Sequence, residues 1–184
     1  DEPIARRIAN AQEIYDHRPS QAEAEASAPK PKRPENNAEY DQYVALVDKL
    51  RAAVTQNPDD PRGLELLAQH EQGLGNLVAA KQAQAKLVAL LGDQASAQDW
   101  TRLAEMTVEA AGGLITAEGE NAIVRAMTLD PHGPQARYYA GLLQIQSGRP
   151  DRAFPIWAQL LAEGPPDAPW IRPIRFIIGD LAWF

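Results

Sequence analysis

Pro131-His-Gly-Pro-Gln-Ala-Arg-Tyr-Tyr-Ala-Gly-Leu-Leu143 leads into a turn, Ser147-Gly-Arg-Pro150, and then into Asp151-Arg-Ala-Phe-Pro-Ile-Trp-Ala-Gln-Leu-Leu161 before Pro165 closes the stretch. The two outer prolines are 34 residues apart. Between them lie two helix-length apolar segments and one glycine-proline turn, the pattern of a helix hairpin. Gly141 is placed to let the first helix approach the second closely, with Ala153 answering it and Trp157 as a large apolar plug. A single hairpin cannot bury its own apolar face, so neighbouring hairpins must stack on it.

The chain upstream supplies them. A first unit runs from Pro61 to about Asp93, with Asp60 as helix cap, Leu64, Leu67 and Ala68 in the motif slots of the repeat, and a Gly73-Leu-Gly-Asn76 turn. A second begins at Ser96, where Ser96 and Asp99 form a capping pair, followed by Trp100, Leu103 and Ala104. Gly112-Gly113 then breaks the chain before a helix over 117–128. The repeat length and these small and large residues match the tetratricopeptide pattern. The expected fold is therefore an all-α tetratricopeptide-repeat solenoid of about three helix-turn-helix repeats with flanking capping helices. A lone helix over 40–56 covers the open end of the first repeat. A last helix, roughly 168–183, is apolar nearly all round, from Trp170 and Ile171 to Trp183 and Phe184. Either it is shielded, for example by residues 3–15, or it presents a sticky surface.

Residues 1–39 divide from the repeats at 40–184. Ile4, Ile8, Ala11 and Tyr15 predict a short amphipathic helix over 3–15. Residues 19–39, rich in Ala, Glu and Pro, read as a flexible linker in which Glu23 and Glu25 form a solvated face.

Several classes of function are disfavoured. The 184-residue chain carries a net charge of −7 with no basic stripe, which argues against a nucleic-acid partner. No apolar run reaches the length of a membrane span, and the missing initiator Met suggests a cut inside a longer polypeptide, with any anchor upstream. With no cysteine, disulfides, thiolate metal sites and cysteine nucleophiles are excluded. His17, His70 and His132 are scattered and no catalytic motif is present, so neither enzymatic activity nor a cofactor or metal is expected. The Gly-x-Gly at 73–75 follows no strand and lacks the third glycine of a phosphate loop.

A solenoid offers a groove instead, lined by the first helix of each pair. Counting from Pro61, Ala97, Pro134 and Ala168 as first positions, the inward set is Arg62, Glu65, Gln69 and Gln72, then Thr101, Glu105 and Val108, then Tyr138, Leu142 and Ile145, then Arg172, Phe176 and Asp180. This wall is polar at one end and apolar at the other. Residues 131–184 carry net +1 and the remaining chain −8. Such a trough suits an amphipathic partner helix docked by its apolar face, with arginines meeting its carboxylates.

A set of segments taken in order carries a resemblance. They are Arg18-Pro-Ser-Gln-Ala-Glu-Ala-Glu25, Asp59-Asp-Pro-Arg-Gly-Leu-Glu-Leu-Leu-Ala68, Ala110-Ala-Gly-Gly113, Leu129-Asp-Pro131, Ala136-Arg-Tyr-Tyr-Ala-Gly-Leu142, Gly148-Arg-Pro-Asp151 and Asp167-Ala-Pro-Trp170. Over nearly the whole chain these resemble the periplasmic tetratricopeptide domain of the CcmI/CycH cytochrome c biogenesis proteins. The resemblance implies a periplasmic domain of a bacterial inner-membrane protein whose membrane helices lie upstream. It implies a chaperone and adaptor that binds apocytochrome c, chiefly through the C-terminal helix of the apocytochrome, beside the haem-lyase complex subunits. The absence of cysteine would then prevent mixed disulfides with the Cys-x-x-Cys-His haem site. The alternative expectation is a tetratricopeptide scaffold of another cell-envelope complex.

Overall fold

In the computed structural model, residues 3–181 are described, with side chains as far as Gly179. The Trp183 and Phe184 assigned to the last helix, and the side chain of Asp180, lie outside the described residues. All regular structure within that range is helical: α1 (Ile4–Asp16), α2 (Gln21–Ser27), α3 (Ala38–Gln56), α4 (Pro61–Gly73), α5 (Leu77–Leu91), α6 (Ala97–Ala110), α7 (Ala117–Leu129), α8 (Pro134–Gln146), α9 (Pro150–Glu163) and α10 (Ile171–Leu181), with a short 3₁₀ turn at Gly92–Gln94. The hairpins α4–α5, α6–α7 and α8–α9 are the three tetratricopeptide repeats. Their first helices, α4, α6 and α8, and α10 in the same register, are called A helices below; α5, α7 and α9 are B helices.

Local chemistry sets the helix boundaries. The Asp60 carboxylate accepts from the Arg62 amide, and Ser96 and Asp99 cap each other's backbone amides. Proline occupies the first turn of α4, α8 and α9, where its missing N–H costs nothing. Each A helix of a hairpin ends in the same way. Gly75, Gly112 and Gly148 have φ of 76°, 67° and 71°, and the amide after each donates to the carbonyl five residues back: Asn76 to Glu71, Gly113 to Val108, and Arg149 to Gln144. This six-to-one closure needs a left-handed residue, which glycine supplies without strain.

The core is a file of three clusters. Ala68, Ala80, Ala83 and Met106 join the first repeat to the second. Ala104, Val108, Ile115, Ala122, Ile123, Tyr139 and Leu143 join the second to the third. Trp157, Leu160 and Ile174 join the third to α10. At the N-terminal end, Arg51 on α3 forks onto the Glu71 carboxylate at 2.6 and 2.7 Å. Burial pushes the Glu71 carboxyl up, but the hydrogen bonds from Arg51 and Asn76 outweigh it and hold it below the ordinary value.

In the C-terminal hairpin, Gly141 meets the Trp157 indole. A Cβ at Gly141 would fall 2.6 Å from Cδ1 and 2.7 Å from Cε2 of that ring. The ring is fully buried, and its Nε1 donates to the Tyr138 carbonyl at 3.1 Å. The close approach expected at Gly141 is therefore made first to Trp157 itself, and Ala153 is buried.

Residues 19–39 depart from the linker expectation. Helix α2 forms inside them, opened by a Ser20–Glu23 capping box, and buries Gln21 and Ala24. The Gln21 amide donates to the Thr107 carbonyl at 2.9 Å and accepts from the Thr116 hydroxyl at 2.6 Å. Glu25, expected in solvent, pairs with Lys81 at 2.7 Å, whereas Glu23 closes its own cap. Upstream, Arg18 pairs with Glu120 at 2.7 Å and donates to the Ile115 carbonyl, and the Tyr15 hydroxyl also donates to Glu120. The whole segment crosses the three glycine turns in reverse order. Ala11 faces Gly148, Ala28 faces Gly112, and Pro31 faces Gly75. A Cβ at Gly75 would lie 2.7 Å from the Pro31 ring, so the glycine there is required by space as well as by φ. Alanines and a glutamine, which read as solvated in isolation, suffice because they dock on backbone at close range.

Candidate peptide-binding face

Burial follows the repeat register in part. Counting from the first positions, Leu64 and Ala68, Ala104, and Arg137 and Gly141 at positions four and eight are buried, whereas Trp100 at position four of α6 is half-buried and Arg175 at position eight of the last helix is exposed. In α10 the fourth and seventh positions, Ile171 and Ile174, are buried, although the helix begins three residues later than expected. Pro169 and Trp170 form a turn instead of helix. The covered side of α10 packs on α8 and α9 through Ile174, Ile177 and Ile178, so α8 and α9, not residues 3–15, provide its shield.

The polar end of the wall is cross-linked from helix to helix. Glu65 on α4 pairs with Arg102 on α6 at 2.6 Å, and Gln72 on α4 donates to Glu109 on α6 at 2.7 Å. Glu105 on α6 shares a hydrogen bond with Gln135 on α8. Arg62 and Gln69 are exposed, and the half-buried Thr101 hydroxyl donates to the Ala97 carbonyl in its own helix.

Val108 is a correction. It is 4 % exposed and belongs to the core between the second and third repeats. Glu109, one residue on and one full helical turn beyond Glu105, takes the wall position. Residues three and four apart lie on either side of the same face, and here the fourth faces outward. Counting i, i+4, i+8 from Thr101 would have found it. Arg102 and Gln135 were also missed, because only the packed neighbour helices show what they link.

At the apolar end, Tyr138 stacks on Trp157 with ring centroids 6.0 Å apart and meets Tyr139 edge-on at 5.1 Å. Leu142 and Ile145 are half-buried and pack with Tyr138 against the Trp157 cluster. Arg172 is exposed, and Phe176 is 71 % exposed on the same side of α10.

Burial pushes the Glu105 carboxyl above its ordinary value, and the charge of Glu109 adds to the effect. Burial, with the same two carboxylates, also raises the Tyr139 phenol. A raised carboxyl favours the protonated fold, so the Glu105 charge costs stability once pH rises through its folded pKa, and the cost vanishes at lower pH. Glu105→Gln should accordingly raise Tm at pH 7, with the gain shrinking toward pH 4 in thermal melts. A variant no more stable than wild type at pH 7 would contradict this assignment.

Among the described residues no group of three or more His, Cys, Asp or Glu side chains could hold a metal ion, and no helix is long and apolar enough to cross a membrane. His70, one candidate for chemistry, is hydrogen-bonded through Nδ1 to the Tyr43 hydroxyl at 2.7 Å.

No protein-family profile matches the chain. The crystal structure of MamA superposes with a TM-score of 0.55 at 19 % identity, over 74 % of this chain and 79 % of that one, a likeness of fold alone. The cytochrome c-type biogenesis protein CycH of Bradyrhizobium diazoefficiens is 38 % identical over 129 residues, covering 70 % of this chain and 34 % of that protein. Its namesake in Rhizobium meliloti is 34 % identical over 142 residues, covering 77 % and 37 %. The chain thus spans about a third of the length of these relatives. Identity of 34–38 % over 70–77 % of the chain means that it belongs to the CycH family of cytochrome c-type biogenesis proteins.

Proposed function

We propose that this chain acts in cytochrome c maturation as a periplasmic adaptor that binds apocytochrome c and presents it for haem ligation, with no catalysis of its own. The wall of A helices would hold the C-terminal helix of the apocytochrome, beside the haem-lyase subunits, while an upstream anchor would keep the domain at the membrane. The names of the relatives support the process. The observation that carries the binding mode is the row of outward residues at equivalent register positions in four successive A helices, ending in Phe176, a large apolar side chain left 71 % exposed.

Large apolar anchors should dominate such binding, at about 1.5–3 kcal/mol each, over rim ion pairs at about 0–1 kcal/mol. Phe176 is the clean probe. Tyr138 and Leu142 pack in the core clusters, so their loss would perturb the fold as well. By calorimetric titration the domain should bind apocytochrome c and bind the holoprotein much more weakly, because the folded cytochrome occupies its own helix. Phe176→Ser should weaken apocytochrome binding by about 10-fold or more with Tm unchanged. Equal binding of apo- and holocytochrome, or an unaffected Phe176→Ser, would contradict the proposal.

A further inference from the structure

Charge changes sign along the wall. Glu65 is neutralised by Arg102, but Glu105 and Glu109, one turn apart on α6, have no ion-pair partner within 4 Å among the described residues. Their polar contacts are amides, from Gln135 and Gln72. The wall then becomes apolar through Tyr138, Leu142 and Ile145 on α8. On α10 the uncovered side shows Arg172, Arg175, Phe176 and Gly179, spaced i, i+3, i+4 and i+7, so one stripe holds two arginines around a phenylalanine. Neither arginine is ion-paired within the described residues, and a Cβ at Gly179 would meet nothing within 4 Å. Three charges moderate this pattern. Asp180 brings α10 to net +1, Arg62 stands at the far rim on α4, and Arg102, on α6 with the two glutamates, favours the Glu105 charge.

We infer that the partner helix lies across the A helices in one direction, with its C-terminal end over Arg172 and Arg175 and a cationic side chain over Glu105 and Glu109. This rests on the reading above that the wall takes a partner helix. Two fields favour that direction. The helix macrodipole is negative at its C-terminus and positive at its N-terminus, and a free terminal carboxylate adds a full charge where Arg172 and Arg175 can reach it. The reverse orientation sets the carboxylate against Glu105 and Glu109.

Geometry fixes the spacing of the occupant. Directly packed helices lie about 8–10 Å apart, and α6 and α8 touch only lightly while α10 packs mainly on α9, so two steps from α6 to α10 cover at least roughly 20 Å, or at least about 13 residues of helix at 1.5 Å each. The occupant is therefore an amphipathic helix that ends its chain, with Lys or Arg three to four turns before the terminal carboxylate.

The test uses a 20-residue amphipathic peptide with a lysine 13 residues before a free C-terminus, labelled with a nitroxide at one end or the other, and the isotope-labelled full chain. The C-terminal label should broaden amide signals of α10, and the N-terminal label those of α4 and α6. Amidating the C-terminus should weaken binding about 2–5-fold, the size of an exposed ion pair, and R172Q/R175Q should remove the distinction between acid and amide. Binding with the labels reversed, or equal affinity for acid and amide, overturns the orientation while leaving the binding face intact. No binding by either form overturns both.

Discussion

Leucine at position 141 should cost about 3 kcal/mol, the upper end of the overpacking range, and lower Tm by about 6–12 °C for a chain of this size. A Cβ there already falls inside contact distance of a fully buried indole whose N–H is tied to the Tyr138 carbonyl, so neither the ring nor α8 can yield cheaply. Trp157→Ala alone should cost about 3–5 kcal/mol through the cavity it leaves. The double variant should cost well below the sum, because the leucine then enters that cavity. Urea or thermal unfolding of the four proteins checks this. Additive costs would mean that the two residues do not face each other.

Removing residues 1–36 should have the second-largest effect. The segment contributes the two Gln21 hydrogen bonds, the Arg18 and Tyr15 contacts to Glu120, and the Glu25–Lys81 pair. At about 1 kcal/mol net for each, discounted for the partly exposed pairs, the loss is about 2–4 kcal/mol, visible as a lower urea midpoint. Gln21→Ala should reproduce part of it, since it removes the acceptor of the buried Thr116 hydroxyl and one of the two donors to the Thr107 carbonyl, leaving that of Ala111. A truncated chain with an unchanged midpoint would mean that the segment only rests on the repeats.

Local signals made the repeat array legible. The 34-residue spacing, the Ser96–Asp99 cap, proline in the first turn of helices and glycine at each hairpin turn are all properties of a residue and its near neighbours. The strap at residues 11–31 carried local signals for its helices, the apolar spacing through Ala11 and Tyr15 and the Ser20–Glu23 capping box, but none for its docking. It docks through Ala11, Ala28 and Pro31 onto three glycines and through one buried amide, contacts whose meaning exists only once the distant turns are brought into line. The wall was legible in outline from register. It failed at Val108, where one residue separates the core face from the outer face, and it omitted Arg102, Glu109 and Gln135, whose partners lie 30–37 residues away on the neighbouring A helix. The start of α10 was misplaced because Asp167 and Pro169 form a cap-like pair one turn too early.

Glu105, whose carboxyl burial raises above its ordinary value, and the uncovered Phe176 both belong to the A helices. Amide hydrogen exchange of the full chain, with and without apocytochrome c, therefore tests the account most directly. Added protection should fall on α6, α8 and α10, around Thr101–Glu109, Tyr138–Leu142 and Arg172–Phe176, with α5, α7, α9 and the strap unchanged. Protection confined to the B helices or to the strap would contradict it.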